Sequence, residues 1–208
     1  MFFFMDILSE IKHLKHLADV GLLYAENGFD RERYREVHEI SLKLLSAFAD
    51  LPLPAVKNFY STVEDYPTPK VDVRALVLDG NRRVLLAQES ADGRWSLPGG
   101  WADIGRTPSE VIEKEVFEET GLVVKAERLL AVFDKKCHPH PPEPHYAYKF
   151  LFGCSLGGGH LTKGFDMLDV AFFDLENLPP LSEVRILESQ IRLAFEKWTT
   201  GDLLTYFD

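Results

Sequence analysis

Residues 98–122, PGGWADIGRTPSEVIEKEVFEETGL, constrain the fold more tightly than any other part of the chain. Thr107-Pro108-Ser109-Glu110 is a capping box with proline at the first helical position. The threonine hydroxyl takes one orphan backbone N–H, and the glutamate reaches back to cover another. Gly121 is placed to end the helix, because a left-handed residue there carries no Cβ penalty. Pro98-Gly99-Gly100 is incompatible with helix and reads as a loop leaving a strand. The local unit is therefore strand, glycine loop and short capped helix.

That helix carries Glu113, Glu115, Glu118 and Glu119, a crowding of like charge that works against it. At about 100° per residue Glu115, Glu118 and Glu119 share one sector. Glu113 points nearly the opposite way and reads as an ordinary solvated acid. Ile112 and Val116 flank the acidic sector and are placed to dock the helix on a sheet. Three converging carboxylates call for a cation, and hard divalent ions prefer such oxygen ligands. A solvated acidic face is the competing reading in a chain with a formal charge of −10.

The spacing favours the cation. Gly100, five residues, position 106, seven residues, then Lys114-Glu115-Val116-Phe117-Glu118-Glu119-Thr120-Gly121-Leu122 resembles the Nudix box. That pattern is Gly, five residues, Glu, seven residues, Arg-Glu-apolar-any-Glu-Glu-any-Gly-apolar, and so long a fixed frame is a specific signal. The resemblance implies an α/β/α sandwich that hydrolyses a nucleoside diphosphate linked to another moiety. It also implies that Glu115, Glu118 and Glu119 are catalytic and hold Mg²⁺ or Mn²⁺, with the Gly99 carbonyl as a further ligand. Lys114 stands where the pattern has arginine, and Arg106 where it has glutamate. In the family that glutamate chiefly partners the arginine, whereas Arg106 and Lys114 repel. Arg106 is expected to turn to Glu110 or Glu113, a surface pair of about 0.2–0.5 kcal/mol, with activity retained in full or at a reduced level.

At 208 residues and 46% hydrophobic composition, the chain has enough apolar material for one good core and a small accessory domain. The acidic balance argues against a general nucleic-acid binder and disfavours an RNA-end hydrolase. Cys137 and Cys154 are too few for a disulfide framework, so a reduced, cytoplasmic setting is expected. Met1-Phe2-Phe3-Phe4-Met5 is too short for a signal-peptide core or a membrane span. It reads as a hydrophobic staple into the next helix, with Met5 an alternative start.

Two domains are expected, 1–66 helical and 70–208 catalytic, joined by a linker at Asp65-Tyr66-Pro67-Thr68-Pro69. Ile7, Ile11, Leu14, Leu17 and Val20 recur at helical spacing, and Asn27-Gly28 ends that run. Asp30 reads as the cap of a second helix carrying Tyr34, Val37, Ile40, Leu44 and Leu45, and a shorter helix is expected near Ala55–Tyr60. This region, notably residues 24–34 (YAENGFDRERY), resembles the helical extension of a bacterial Nudix subgroup. That subgroup includes ADP-ribose and CDP-choline pyrophosphatases, which implies a homodimer and a packing role for the helices. The fold class is thus α+β: a sandwich with a mixed sheet preceded by a small all-helical domain.

From Val71 the pattern is strand. Val71–Leu78 and Arg83–Gln88 flank Asp79-Gly80-Asn81, a hairpin signature. Further strands are expected at Val123–Asp134 and His145–Ser155. Gly157-Gly158-Gly159 lacks the lysine and following helix of a phosphate loop and reads as a hairpin turn. Ser182 is expected to cap a last helix running to about Trp198.

His138-Pro139-His140-Pro141-Pro142-Glu143-Pro144-His145 contains zinc-capable side chains but no thiolates at finger spacing. It reads as a stiff substrate loop, with His138 and His140 as contacts. Glu143, Asp166 and Asp169 compete for the role of general base. Trp95, Trp101, Tyr146 and Tyr148 are candidate walls for a base or a choline headgroup, since aromatic faces attract both. The competing function is a nucleotide-binding sensor without turnover, motivated by Arg106.

Overall fold

The computed structural model describes residues 7–60, 66–103 and 105–208, apart from the side chains of Ser9 and Phe59. The expectations for Met1–Met5 and Asp65 lie outside the described residues. The described residues form two compact units. One is drawn from Met1–Pro69 with Pro142–Tyr146, the other from Lys70–Pro141 with Ala147–Asp208.

The first unit contains α1 (Ile7–Tyr24), α2 (Gly28–Phe48) and α3 (Leu53–Phe59). Asn27, rather than Asp30, caps α2: its side chain accepts the Asp30 N–H at 2.8 Å. Asp30 instead occupies the first turn, where a negative charge suits the helix dipole, and pairs with Arg33. Ile11, Leu42, Leu45 and Val56 form the core. Much of the expected apolar stripe remains outside it, because Ile7, Leu14, Leu17, Tyr34, Ile40 and Leu44 are exposed. Part of the interior is ionic. Asp19 accepts from Lys15 and lies 2.8 Å from His38 Nδ1, while Lys15 sits 4.2 Å from the Tyr60 ring centroid. Burial pushes the Asp19 carboxyl up, but His38 and Lys15 outweigh it and hold the group below its usual range.

The second unit runs β1 (Lys70–Val77), β2 (Val84–Glu89), β3 (Trp95–Ser96), β4 (Gly99–Trp101), α4 (Pro108–Thr120), β5 (Leu122–Asp134), β6 (Ala147–Gly159), β7 (Met167–Phe173), α5 (Glu188–Thr200) and β8 (Tyr206–Phe207). A mixed sheet has the order β4-β1-β6-β5-β8, and a smaller one β3-β2-β7. Side chains alternate across a strand, so β1 serves two cores. Val73, Ala75 and Val77 pack with Val111, Ile112 and Val116 of α4. Leu76 packs on the other side with Leu86, Ile186, Ile191 and Ala194. This is the expected sandwich. No helix among the described residues is long and apolar enough to cross a membrane.

The capping box and the left-handed Gly121 form as the sequence dictates. Four local expectations change. First, β1 and β2 meet only at a Leu78–Val84 bridge, because β1 takes β4 and β6 as partners whereas β2 takes β3 and β7. Asp79 still makes the turn, its carboxylate accepting from the Asn81 and Arg83 N–H groups. Second, Ser182 caps no helix. Its carbonyl starts a tight turn and its hydroxyl donates to Asp92, while α5 begins at Glu188 and Gln190 accepts the Leu187 N–H. Third, Glu113 is not a free solvated acid, since it accepts the Ala126 N–H of β5 at 2.9 Å.

Fourth, the triple glycine is strand, not turn: Gly158 and Gly159 pair with Val123 and Leu122. Gly159 adopts φ 89°, and a Cβ there would collide with the Gly121 carbonyl. The sheet thereby closes against the end of α4. Gly159→Val is expected to destabilise the chain by about 1–3 kcal/mol through positive φ and the backbone clash. Gly157→Ala, whose Cβ meets only an ordinary 3.4 Å neighbour, is expected to leave urea unfolding unchanged.

Candidate active site

The turn from β4 into α4 brings the acids to the glycines. Gly99 adopts φ 142°, and any Cβ there would strike the Val73 carbonyl. Its N–H donates to Glu119 Oε2 at 3.1 Å. A Cβ on Gly100 would lie 3.1 Å from Glu115 Oε2, so the missing side chain leaves room for that carboxylate. Glu119 is buried, Glu115 half-buried and Glu118 exposed. Burial, reinforced by Glu89 and Glu115 and opposed by Arg74 and the Gly99 N–H, pushes the Glu119 carboxyl up to about 8. Burial also raises Glu115, against the pull of Lys114.

A cation already stands among these acids. The Lys114 ammonium lies 3.1 Å from Glu118 Oε2, 3.9 Å from Glu115 Oε1 and 3.4 Å from Asp103 Oδ2. Arg106 makes no ion pair with Glu110 or Glu113, although its charge adds to the Thr107 hydrogen bonds that lower Glu110; its Nε lies 3.9 Å from the same Asp103 oxygen. The reason is prior engagement. Glu110 accepts from the Thr107 N–H and hydroxyl, and Glu113 is held by β5. Among the described residues no three His, Cys, Asp or Glu side chains stand at metal-ligand spacing. The donor chemistry nevertheless suits a hard divalent ion: carboxylate oxygens, two glycines that admit them, here in strand β4 rather than in the loop expected from the sequence, and an ammonium bridging two of the three.

Beneath the acids lies a buried ionic ladder that the sequence reading missed. Arg74 donates to Asp72 at 3.0 Å, to Ser96 Oγ at 3.2 Å and to the Leu97 carbonyl at 3.0 Å. Asp72 also accepts from Lys149, which burial pushes down to about 8. Glu89 lies 3.8 Å from Arg74 and 3.0 Å from Arg185, and Arg185 reaches Asp92 at 3.5 Å. The readable signal was Asp72 and Arg74 at alternate positions of an otherwise apolar strand, since charges rarely enter a core unless paired.

The remaining candidates scatter. Trp95, partly buried, stacks edge-on against Phe173 at 4.7 Å and packs against the second core. Trp101 is exposed, with Lys70 Nζ 5.2 Å from its ring centroid, and Tyr148 is exposed on β6. His138 Nε2 pairs with Asp208 at 3.0 Å. His140 Nδ1 donates to the Glu183 carbonyl at 2.6 Å, and its Nε2 accepts from Gln190 at 3.2 Å. Burial pushes His140 down to about 4, so its ring is neutral. Both histidines thus fasten their loop to the C-terminal part of the unit. Glu143 and Tyr146 fall in the helical unit, where Glu143 pairs with His145 at 3.6 Å and Lys12 Nζ lies 6.0 Å from the Tyr146 centroid. Asp166 is exposed, and its charge helps to raise Glu89, whose main cause is burial. Asp169 accepts the Val170 N–H.

Comparison with known proteins agrees with this geometry. Residues 68–193 match the NUDIX domain model, and residues 5–60 match a UDP-X-like, N-terminal oligomerisation domain. The Bacillus subtilis protein YjhB, to which ADP-ribose pyrophosphatase activity is ascribed, is 36% identical over 97% of this chain and 96% of its own length. A UDP-X diphosphatase of known structure is 34% identical, with a TM-score of 0.63 over 98% of both chains. An ADP-ribose pyrophosphatase from Streptococcus suis is 37% identical, with a TM-score of 0.62 over 68% of this chain and 100% of its own. With Glu119 and Glu115 beside Gly99 and Gly100 of β4 and a domain model spanning most of the chain, the protein belongs to the Nudix hydrolase family.

Proposed function

We propose that this chain cleaves the pyrophosphate bond of a nucleoside diphosphate sugar, with ADP-ribose or a UDP-linked compound as substrate and Mg²⁺ or Mn²⁺ held by Glu115, Glu118, Glu119 and the Gly99 carbonyl. The observation that carries this reading is the seating of Glu119 on the Gly99 N–H, with Glu115 beside Gly100. When bound, the metal polarises a phosphate oxygen and lowers the pKa of the attacking water. Water oxygen bonds to phosphorus as the bridging P–O bond breaks, giving a nucleoside monophosphate and a phosphorylated partner. Asp166 is the carboxylate we assign to take the proton, supported by its exposed place just before β7. The nearby charge of Arg74 favours the ionised form of Glu119. Trp101 offers an exposed face for a base, supported by its place at the β4 edge.

We further assign the helical unit to homodimer formation. Its support is the exposed apolar set on α1 and α2 and the match to an oligomerisation domain. Light scattering is expected to give a dimer for the wild type and a monomer for Leu17→Glu/Ile40→Glu; a wild-type monomer overturns the assignment.

Turnover of ADP-ribose, UDP-sugars, CDP-choline and a capped dinucleotide, each with Mg²⁺, tests the activity. One diphosphate is expected to be cleaved, with Glu118→Gln lowering kcat by at least about 10²-fold, the scale of losing a group that stabilises transition-state charge. Tight metal-dependent binding without cleavage of any favours the sensor reading instead.

A second check is linkage in EDTA. Folded Glu119 keeps its proton to about pH 8, whereas in the unfolded chain it ionises near 4.5. The folded state therefore binds the extra proton between these values, and stability falls as pH rises through that window. The Tm of wild type relative to Glu119→Gln is expected to decline from about pH 5 to about pH 8, and excess Mg²⁺ to remove the slope. A flat difference sinks the idea.

A further inference from the structure

Building on the metal reading above, we propose that Asp103 is a positioning residue for metal binding: it provides the seat to which Lys114 withdraws when a divalent cation takes Glu115 and Glu118. Lys114 Nζ is shared by three carboxylates, at 3.1 Å from Glu118, 3.4 Å from Asp103 and 3.9 Å from Glu115. Two of these are the carboxylates assigned to the metal. A divalent ion beside them repels the ammonium, which must then find another anion within reach of its own stem. Glu110 is committed to the Thr107 cap and Glu113 to the Ala126 N–H. Asp103, on the loop before α4 and half open to solvent, is left.

Arg106 sharpens the argument. Its guanidinium lies 3.9 Å from the same Asp103 oxygen that faces Lys114, so the two cations compete for one acceptor. The position that most directly supports Lys114 in the box pattern here weakens that support. Asp103 restores it from three residues upstream. Metal affinity in this chain is therefore set by competition among Lys114, Arg106 and the incoming ion as well as by the donor oxygens. Neither Lys114 nor Asp103 touches substrate in this scheme.

The test is calorimetric titration of Mn²⁺ into the metal-free full chain for wild type, Asp103→Asn, Lys114→Gln and the double variant, with thermal melting to verify that each is folded. Asp103→Asn is expected to raise the Kd for Mn²⁺ about two- to fivefold, the scale of an exposed ion pair. In the Lys114→Gln background the same substitution is expected to change little, because the ammonium it must hold is gone. Arg106→Glu, which gives Lys114 a second acceptor, is expected to tighten binding. An Asp103→Asn effect of equal size in both backgrounds is a field effect of the lost charge and overturns the proposal, as does an unchanged Kd in the single variant. A wild type that binds no Mn²⁺ overturns the metal reading itself and this inference with it. Binding by wild type with no coupling between the two positions leaves the metal reading standing alone.

Discussion

The site depends on one buried carboxylate. Glu119 sits buried at the end of α4, where desolvation pushes its carboxyl up to about 8 even against the two groups that favour its charge. One partner is the Gly99 N–H, which faces Glu119 because residue 99 is a glycine in a conformation closed to other residues. The other is the field of Arg74, fixed by Asp72, Ser96 and the Leu97 carbonyl. These needs explain why β1 carries charge on one face of an otherwise apolar strand. They also explain why Lys149 is buried on β6, where the parallel register places it opposite Asp72. A buried ladder of this kind contributes little net stability, since desolvation offsets most of the attraction. Its value lies in holding Glu119 and the glycine turn in one arrangement.

The pairing of Arg106 with Asp103 shows where a reversed charge at that box position finds its partner. The helix surface near Lys114 offers several acids, yet most are already spoken for by the cap, by β5 or by the proposed metal. What counts is therefore which carboxylates remain uncommitted, not how many are near. Exposed pairs at these distances each contribute about 0.2–1 kcal/mol, so exchanging one for another leaves α4 where it is. The spacing of Gly99, Glu115 and Glu119 is the part that the backbone cannot rearrange.

Local grammar was legible in the sequence, and partnership across the fold was not. The Thr107–Glu110 cap, the Gly121 stop and the docking of Ile112 and Val116 follow from neighbours within one helix. The family frame then supplied the sandwich. The errors share one cause. Asp79-Gly80-Asn81 makes its turn, but only the sheet decides that β1 and β2 part. The glycines at 157–159 are permissive in isolation and become strand because β5 lies alongside. Glu113 looks solvated on a helical wheel until the Ala126 N–H reaches it. His138 and His140 suggested a substrate loop, yet His138 Nε2 and both nitrogens of His140 are engaged by Asp208, Glu183 and Gln190, all distant in sequence. The Asp72–Arg74 alternation was visible but carried no partner's name.

The helical unit raises a question of supply. Its buried apolar core rests on Ile11, Leu42, Leu45 and Val56, while Lys15, Asp19 and Ser41 take further interior positions. Units of this size bury too little surface to be secure alone, and association is one common remedy. A paired interior charge sets register between helices more than it stabilises them; here His38 and Lys15 tie α2 and α1 to Asp19. The exposed Leu14, Leu17, Ile40 and Leu44 then represent apolar surface not yet used. The match to an oligomerisation domain fits a division in which charge fixes the helix pair and this apolar area is left for association.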